Sequence, residues 1–280
     1  IHSEKITLSA AVPTVWLGIL QYLKKSGEGL GALERVVIGG TAAPPIMVRT
    51  LQEEYGVQVC HAWGMTEMSP LGTTGVLKKD SLSLTKDEQY KLQEKQGRGI
   101  YGVEMKIVDD HGTSLPKDGV VFGNLMVRGP WVANGYFKGE GGEVLDADGW
   151  FPTGDVATLD AEGYMQITDR AKDVIKSGGE WIGTIELENV AMEHEGIAEC
   201  AVIGVSHPKW DERPLLVVVP EGEKNVTKED ILDFFTGKVA RWWIPDDVVF
   251  VSELPHTPTG KVLKTKLRED FSCHVLPTVS

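Results

Sequence analysis

The run from Gly163 to Glu188 constrains the chain more than any other. Its first part alternates like a strand, with Tyr164, Gln166 and Thr168 on one side and Met165 and Ile167 on the other. Asp169-Arg170-Ala171-Lys172-Asp173 follows, five polar or small residues that cannot extend a buried strand. A second short strand, Val174-Ile175-Lys176, stops at Ser177-Gly178-Gly179, where the backbone is free to take positive φ and expose N–H groups. Glu180 to Asn189 then reads as the start of a helix. A strand, a charged break, a strand and a glycine loop in that order mark a boundary between two bodies, placed near Lys172.

The two sides differ in rhythm. Before the boundary, a strand over Ile6–Val12 leads into a helix opened by Pro13 and stopped at Gly27. A strand over Leu33–Ile38, a helix over Pro45–Tyr55 and a strand over Val57–Trp63 follow. Strands alternating with helices predict a mainly parallel sheet, whose ligands sit at the carboxyl ends of its strands. Gly39–Pro44 and Trp63–Glu67 lie at two such ends. From Gly99 the pattern becomes short alternating runs, Val103–Val108 and Asn124–Arg128, separated by turn residues, which predicts antiparallel, barrel-like β structure. After Lys172 the pattern is mixed. Helices are expected over Ile185–Glu193 and Lys228–Ala240, and strands over Cys200–Val205, Leu215–Val219 and Asp247–Val251. The fold class is therefore α/β with an antiparallel barrel-like part, then a small α+β domain.

Composition excludes several functions. A net charge of −13 without a basic stripe argues against a nucleic-acid partner. No apolar run is long enough to span a bilayer. Cys60, Cys200 and Cys273 are odd in number and far apart, which favours a reducing compartment and disfavours structural zinc. Thr278-Val279-Ser280 is no peroxisomal address, so the expected location is cytoplasmic. The chain starts at Ile1 with no signal or transit character. It reads as lacking its natural beginning.

Several motifs carry candidate chemistry. Trp63-Gly64-Met65-Thr66-Glu67 ends a strand in a turn with a hydroxyl and a carboxylate, suited to a phosphate oxygen and Mg²⁺, although a capped helix start explains the same residues. Gly39-Gly40-Thr41-Ala42-Ala43-Pro44 is a strand-to-helix loop. Thr153-Gly154-Asp155 is on its own a turn. Thr257-Pro258-Thr259-Gly260-Lys261 is a rigid turn presenting one lysine. Three other matches are set aside. Gly97-Arg98-Gly99-Ile100-Tyr101-Gly102 precedes a strand, the reverse of a dinucleotide site. Gly72–Lys78 resembles a glycine-rich phosphate loop but lacks that loop's Pro and final Gly, and it follows Thr66-Glu67 instead of preceding it. His194-Glu195 lacks the second histidine of a zinc-protease helix.

Taken in order, Gly39–Pro44, Trp63–Glu67, Thr153–Asp155, Gly163–Asn189 and Pro258–Lys261 resemble the adenylate-forming superfamily of acyl-CoA synthetases, luciferases and peptide-synthetase adenylation domains. The Ser-Gly-Gly-Glu-Trp-Ile wording is most similar to fatty acyl-CoA and methylthiopropanoate-CoA ligases. The resemblance divides the chain into residues 1–98, the later part of a large α/β subdomain; 99–171, a barrel-like subdomain; and 172–280, a small mobile domain. It implies an AMP-forming ligase using ATP, Mg²⁺ and CoA on an aliphatic carboxylate. Thr66 and Glu67 then meet phosphates and Mg²⁺, and Gly40, Thr41, Ala42, Trp63, Gly64, Met65 and Ile167 line the nucleotide. Asp155 and Arg170 hold ribose or phosphate, and Lys261 serves adenylation. Lys172 is the hinge. Lys176, Ser177, Gly178, Gly179 and Trp181 form the CoA face, and Val12, Pro13 and Trp16 the acyl pocket or plain core. Glu188 is expected only to orient its helix.

The resemblance also places a phosphate loop further upstream of Thr66 than the 65 residues that precede it. That leaves an inactive nucleotide- or CoA-binding fragment open as the alternative. A carrier-protein thiol or oxygen is a separate alternative as second-step acceptor, with Lys176 and the Ser-Gly-Gly-Glu-Trp run favouring CoA. Gly183 stands where close relatives carry Ser. A homodimer is one assembly open to such a protein.

Overall fold

In a computed structural model, which describes residues 1–222, 226–257 and 260–279, the chain forms two compact units, Ile1–Ile167 and Thr168–Ser280. The first opens with β1 (Leu8–Ala11), α1 (Pro13–Ser26), β2 (Arg35–Ile38), α2 (Pro45–Glu53) and β3 (Gln58–Gly64). β1, β2 and β3 pair in parallel. Pro13 opens α1 because its missing N–H would have no partner there, and Gly27 closes it in the left-handed region at φ 72°. One face of both helices is covered by the sheet. Trp16, Leu23, Val36, Ile38, Met47, Val48 and Leu51 form a single core.

The chain then turns antiparallel through β4 (Leu71–Thr74), α3 (Lys86–Glu94), β5 (Gly97–Gly99), β6 (Glu104–Val108), β7 (Phe122–Arg128), β8 (Phe151–Leu159) and β9 (Tyr164–Arg170). The spatial order is β1-β2-β3-β4-β5-β9-β8-β7-β6, one nine-stranded sheet. The expected barrel-like subdomain is thus an extension of the first sheet, and among the described residues it closes into no barrel. The cause is the non-local pairing of β5 with β9, which joins the later ladder to the earlier strands edge to edge.

The second unit contains β10 (Ile175–Ser177), β11 (Glu180–Ile182), α4 (Thr184–Met192), β12 (Ile197–His207), β13 (Asp211–Pro220), α5 (Lys228–Phe234), β14 (Asp247–Phe250) and α6 (Lys264–Asp270). Its sheet runs β11-β10-β13-β12, with β14 parallel to β13. Ile175, Ile182, Leu187, Val202, Leu216, Ile231 and Phe235 fill one face. Ala201, Ile203, Leu215, Val217 and Leu267 fill the other.

Two expectations change here. Glu180–Ile182 is a strand, and the helix starts only at Thr184. Gly178 and Gly179 both take positive φ, 59° and 88°, which is the backbone of a tight two-residue hairpin turn. That turn folds Trp181 across from Lys176 and Ile182 across from Ile175. The expected helix over Lys228–Ala240 stops at Phe234. Phe235 is fully buried, and Gly237 turns into the left-handed region two residues later. Among the described residues no helix is long and apolar enough to cross a membrane.

Candidate functional site

In the first unit β2 ends at Ile38, opposite His61 and three residues before β3 ends at Gly64, so the loop after β2 starts alongside the last residues of β3. The Gly39–Pro44 loop approaches β3 closely. A Cβ on Gly39 would sit 3.0 Å from the Ala62 carbonyl oxygen, and Gly40 has φ 90°. Gly40 and Thr41 are exposed and Ala42 is half-buried, so the loop offers its outer surface to solvent. The Trp63–Glu67 turn also depends on close approach: a Cβ on Gly64 would lie 1.9 Å from the Pro70 carbonyl oxygen. Met65 is extended and half-buried, Thr66 is exposed, and Glu67 is half-buried.

Asp155 on β8 reaches the same place from a strand far along the chain. The Trp63 indole Nε1–H donates to Asp155 Oδ2 at 2.8 Å, and both residues are buried. The Asp155 backbone N–H donates to Thr153 Oγ1 at 3.1 Å, and that hydroxyl donates to the Leu125 carbonyl at 2.9 Å. The turn is therefore fixed from within. Ile167, half-buried on β9, packs against the cluster containing Trp63, and its N–H donates to Gln96 Oε1 at 2.6 Å. Trp16 lies wholly within the core, Pro13 is buried and Val12 is half-buried.

Two residues of this unit escaped the sequence. Tyr136 donates its hydroxyl to Glu67 Oε1 at 2.8 Å, and that bond to a carboxylate raises the phenol above its ordinary value. His61, 1% exposed, is held between two backbones. The Ala43 N–H donates to its Nε2 at 3.2 Å, and its Nδ1 lies 3.1 Å from the Glu94 carbonyl. Those partners require the neutral tautomer protonated at Nδ1. Burial lowers its pKa to about 4, against the pull of the nearby carbonyls. An apolar strand with one histidine gives no signal that the histidine holds a loop.

In the second unit, Asp169 to Val174 make a tight turn in which the Asp173 and Val174 N–H groups both donate to the Arg170 carbonyl. Arg170 and Lys172 are exposed there. Across the β10–β11 hairpin, the Lys176 ammonium stands 5.2 Å from the centre of the Trp181 ring. Beside it Trp210 packs on Gly178, where a Cβ would lie 2.9 Å from the ring, and Lys209 stacks over Trp210 at 4.4 Å. Ser177 is buried, and its hydroxyl accepts from Arg213 Nη1 at 3.2 Å.

Lys261 is half-buried. Its N–H donates to Thr257 Oγ1 at 3.1 Å, and its carbonyl accepts from the Thr257 N–H at 2.7 Å. Pro258 and Thr259 of this motif lie outside the described residues. Gly72, Thr73 and Thr74 lie in β4, an antiparallel strand, and Lys78 is paired with Glu162. Among the described residues no cluster of three or more His, Cys, Asp or Glu could hold a metal ion. One carboxylate beside a hydroxyl, Glu67 with Thr66, fits Mg²⁺ of the kind that keeps waters and takes its other ligands from phosphates.

A family model described as AMP-binding enzyme matches residues 1–137, and one described as AMP-binding enzyme C-terminal domain matches residues 186–261. The chain belongs to the AMP-binding enzyme family. Within the adenylate-forming superfamily it is 57% identical to 3-methylmercaptopropionyl-CoA ligase of Ruegeria lacuscaerulensis, over 97% of this chain and 50% of that protein. It is 51% identical to medium-chain-fatty-acid–CoA ligase of Ectopseudomonas oleovorans, with the same coverage. Among solved structures, ATP-bound MatB from Rhodopseudomonas palustris superposes with a TM-score of 0.81 at 26% identity, over 98% of this chain and 52% of that one. The chain spans about half the length of the curated relatives it matches.

Proposed function

We propose that these residues belong to an AMP-forming acyl-CoA synthetase acting on an aliphatic carboxylate, either a fatty acid or a methylthio-substituted short acid. The observation that carries the reading is the 2.8 Å bond between Trp63 and Asp155. Two motifs far apart in sequence meet there, which supports reading them as parts of one nucleotide site. The names of the relatives support the acid–thiol chemistry and the class of acid.

In the first half-reaction a carboxylate oxygen of the acid attacks the α-phosphorus of ATP. The bond from that phosphorus to the bridging oxygen breaks, and pyrophosphate leaves with the electron pair. Asp155 accepts hydrogen bonds from the ribose hydroxyls, with Arg170 as a second ribose or phosphate contact. The loop Gly40-Thr41-Ala42, with Trp63, Gly64, Met65 and Ile167, lines the nucleotide, and the Thr66 hydroxyl bonds a phosphate oxygen. Glu67 would hold Mg²⁺, which neutralises phosphate charge when bound, once Tyr136 shares or releases that carboxylate. The Lys261 ammonium stabilises the charge that develops as the new bond forms.

In the second half-reaction the CoA sulfur attacks the acyl carbon. The bond to AMP breaks, AMP takes the electron pair, and the thiol proton passes to solvent. Lys176, Ser177, Gly178, Gly179 and Trp181 form the CoA face, brought into use by rotation about Lys172. Val12, Pro13 and Trp16 are the proposed acyl wall; with Trp16 fully buried, the half-buried Val12 is the contact of the three with most surface to give.

The test is product analysis. The natural protein carrying these residues is incubated with ATP, Mg²⁺, CoA and a panel of acids from acetate to palmitate plus methylthiopropanoate. AMP and one family of acyl-CoA thioesters are expected. ADP in place of AMP, or AMP without any thioester, would reject the proposal.

A further inference from the structure

Lys264 is a largely buried cation of the second unit to which the proposed reaction gives no role. It stands in the first turn of α6, three residues after Lys261, with a side chain only 14% exposed. A cation in the first turn of a helix gains nothing from the backbone dipole, and one removed from water needs partners. Its partners are specific. The ammonium lies 2.7 Å from Glu188 Oε1 and donates to Thr184 Oγ1 at 2.5 Å, both on α4. The same Glu188 oxygen accepts the Val202 N–H of β12 at 2.8 Å.

The network continues toward the hinge. The Thr184 N–H donates to Asp169 Oδ2 at 2.6 Å, and Asp169 Oδ1 accepts the Arg170 N–H at 2.7 Å. Burial opposes the Lys264 charge most strongly, yet the Glu188 and Asp169 carboxylates outweigh it and hold the ammonium above lysine's usual value. The contact ion pair is with Glu188; burial leaves Asp169 itself raised above an ordinary carboxylate. One turn along α6, Arg268 Nη2 pairs with Asp173 at 2.5 Å. Two cations of α6 are therefore tied to the segment around Lys172, to Asp169 before it through Thr184 and to Asp173 after it directly.

Stability alone does not explain a buried ion pair, since a hydrophobic replacement of similar size is often as stable. What the pair adds is direction: the ammonium has one place to be, and the chain that leads to it from Lys261 is only three residues long. We propose that Lys264 and Glu188 are positioning residues. They fix the start of α6 against α4 and the hinge segment, and so fix the backbone from which Lys261 reaches the reacting phosphate. The inference rests on the reading of Lys261 as the adenylation lysine.

The experiment compares Lys264→Met, Lys264→Arg, Glu188→Gln and Lys261→Ala in the natural protein carrying these residues. Two activities are measured: ATP–pyrophosphate exchange with the best acid, and thioester formation from supplied acyl-AMP and CoA. Lys264→Met and Glu188→Gln are expected to lower the kcat of exchange about tenfold to a hundredfold, the scale of a misplaced catalytic group. The KM for ATP should stay within about twofold and the thioester step near wild type. Lys264→Arg should restore most of the exchange. Unchanged exchange in both Lys264→Met and Glu188→Gln would overturn the proposal, as would an equal fall in both half-reactions, which is what a merely structural pair would give. Wild-type exchange in Lys261→Ala would instead overturn the assignment of Lys261 on which the proposal stands.

Discussion

Replacing His61 with Gln should remove a definite part of the acid sensitivity of the first unit. His61 is buried and neutral between the Ala43 N–H and the Glu94 carbonyl, and its pKa falls from an ordinary 6.5 to about 4. As pH falls, the unfolded chain takes up this proton near 6.5, whereas the folded chain resists until about 4. The stability contributed is therefore complete above 6.5 and lost progressively between 6.5 and about 4. At about 1.4 kcal/mol per pH unit the full loss comes to about 3 kcal/mol, of which roughly 2 falls between pH 7 and pH 5. Gln cannot titrate, so the variant lacks this component, although it starts less stable at pH 7. Urea unfolding at pH 7, 6 and 5, followed by tryptophan fluorescence, measures it. The wild type should lose about 2 kcal/mol more than His61→Gln over that range. Parallel curves would refute the claim that a neutral histidine holds the Gly39–Pro44 loop.

Asp155→Ala removes the hydrogen-bond partner of Trp63 and the proposed ribose contact. It should weaken ATP binding about tenfold or more, the usual worth of hydrogen bonds to a charged group. An unchanged KM for ATP would count against the assignment. Gly178→Ala forces a side chain into a backbone at φ 59° and against Trp210, so the second unit should lose about 1–2 kcal/mol. A melting temperature equal to wild type would show that the hairpin tolerates another turn.

Local chemistry explains what the sequence made legible. Pro13 and Gly27 bracket α1 because a proline needs no N–H partner and a glycine accepts positive φ. The glycine pair at 178–179 announced a turn for the same reason. The strand after it was missed because three residues, Glu180–Ile182, are too few for a period of two to show. The end of α5 was missed because Phe235, Val239 and Ala240 continue the apolar pattern past Phe234, where the helix stops. The open sheet in place of a barrel depends on β5 finding β9, a pairing between segments distant in sequence. His61 and Lys264 are invisible for a related reason. Their partners, Ala43 and Glu94 for one and Thr184 and Glu188 for the other, become neighbours only on folding. The meeting of Trp63 with Asp155 was legible only through the resemblance that named both.

The central claim is that one small unit serves two half-reactions with two different lysines. The most direct measurement is the half-reaction profile of Lys261→Ala beside Lys176→Ala in the natural protein carrying these residues. The account predicts that Lys261→Ala loses ATP–pyrophosphate exchange and keeps thioester formation from supplied acyl-AMP. Lys176→Ala should do the reverse. Loss of the same half-reaction in both variants would contradict it.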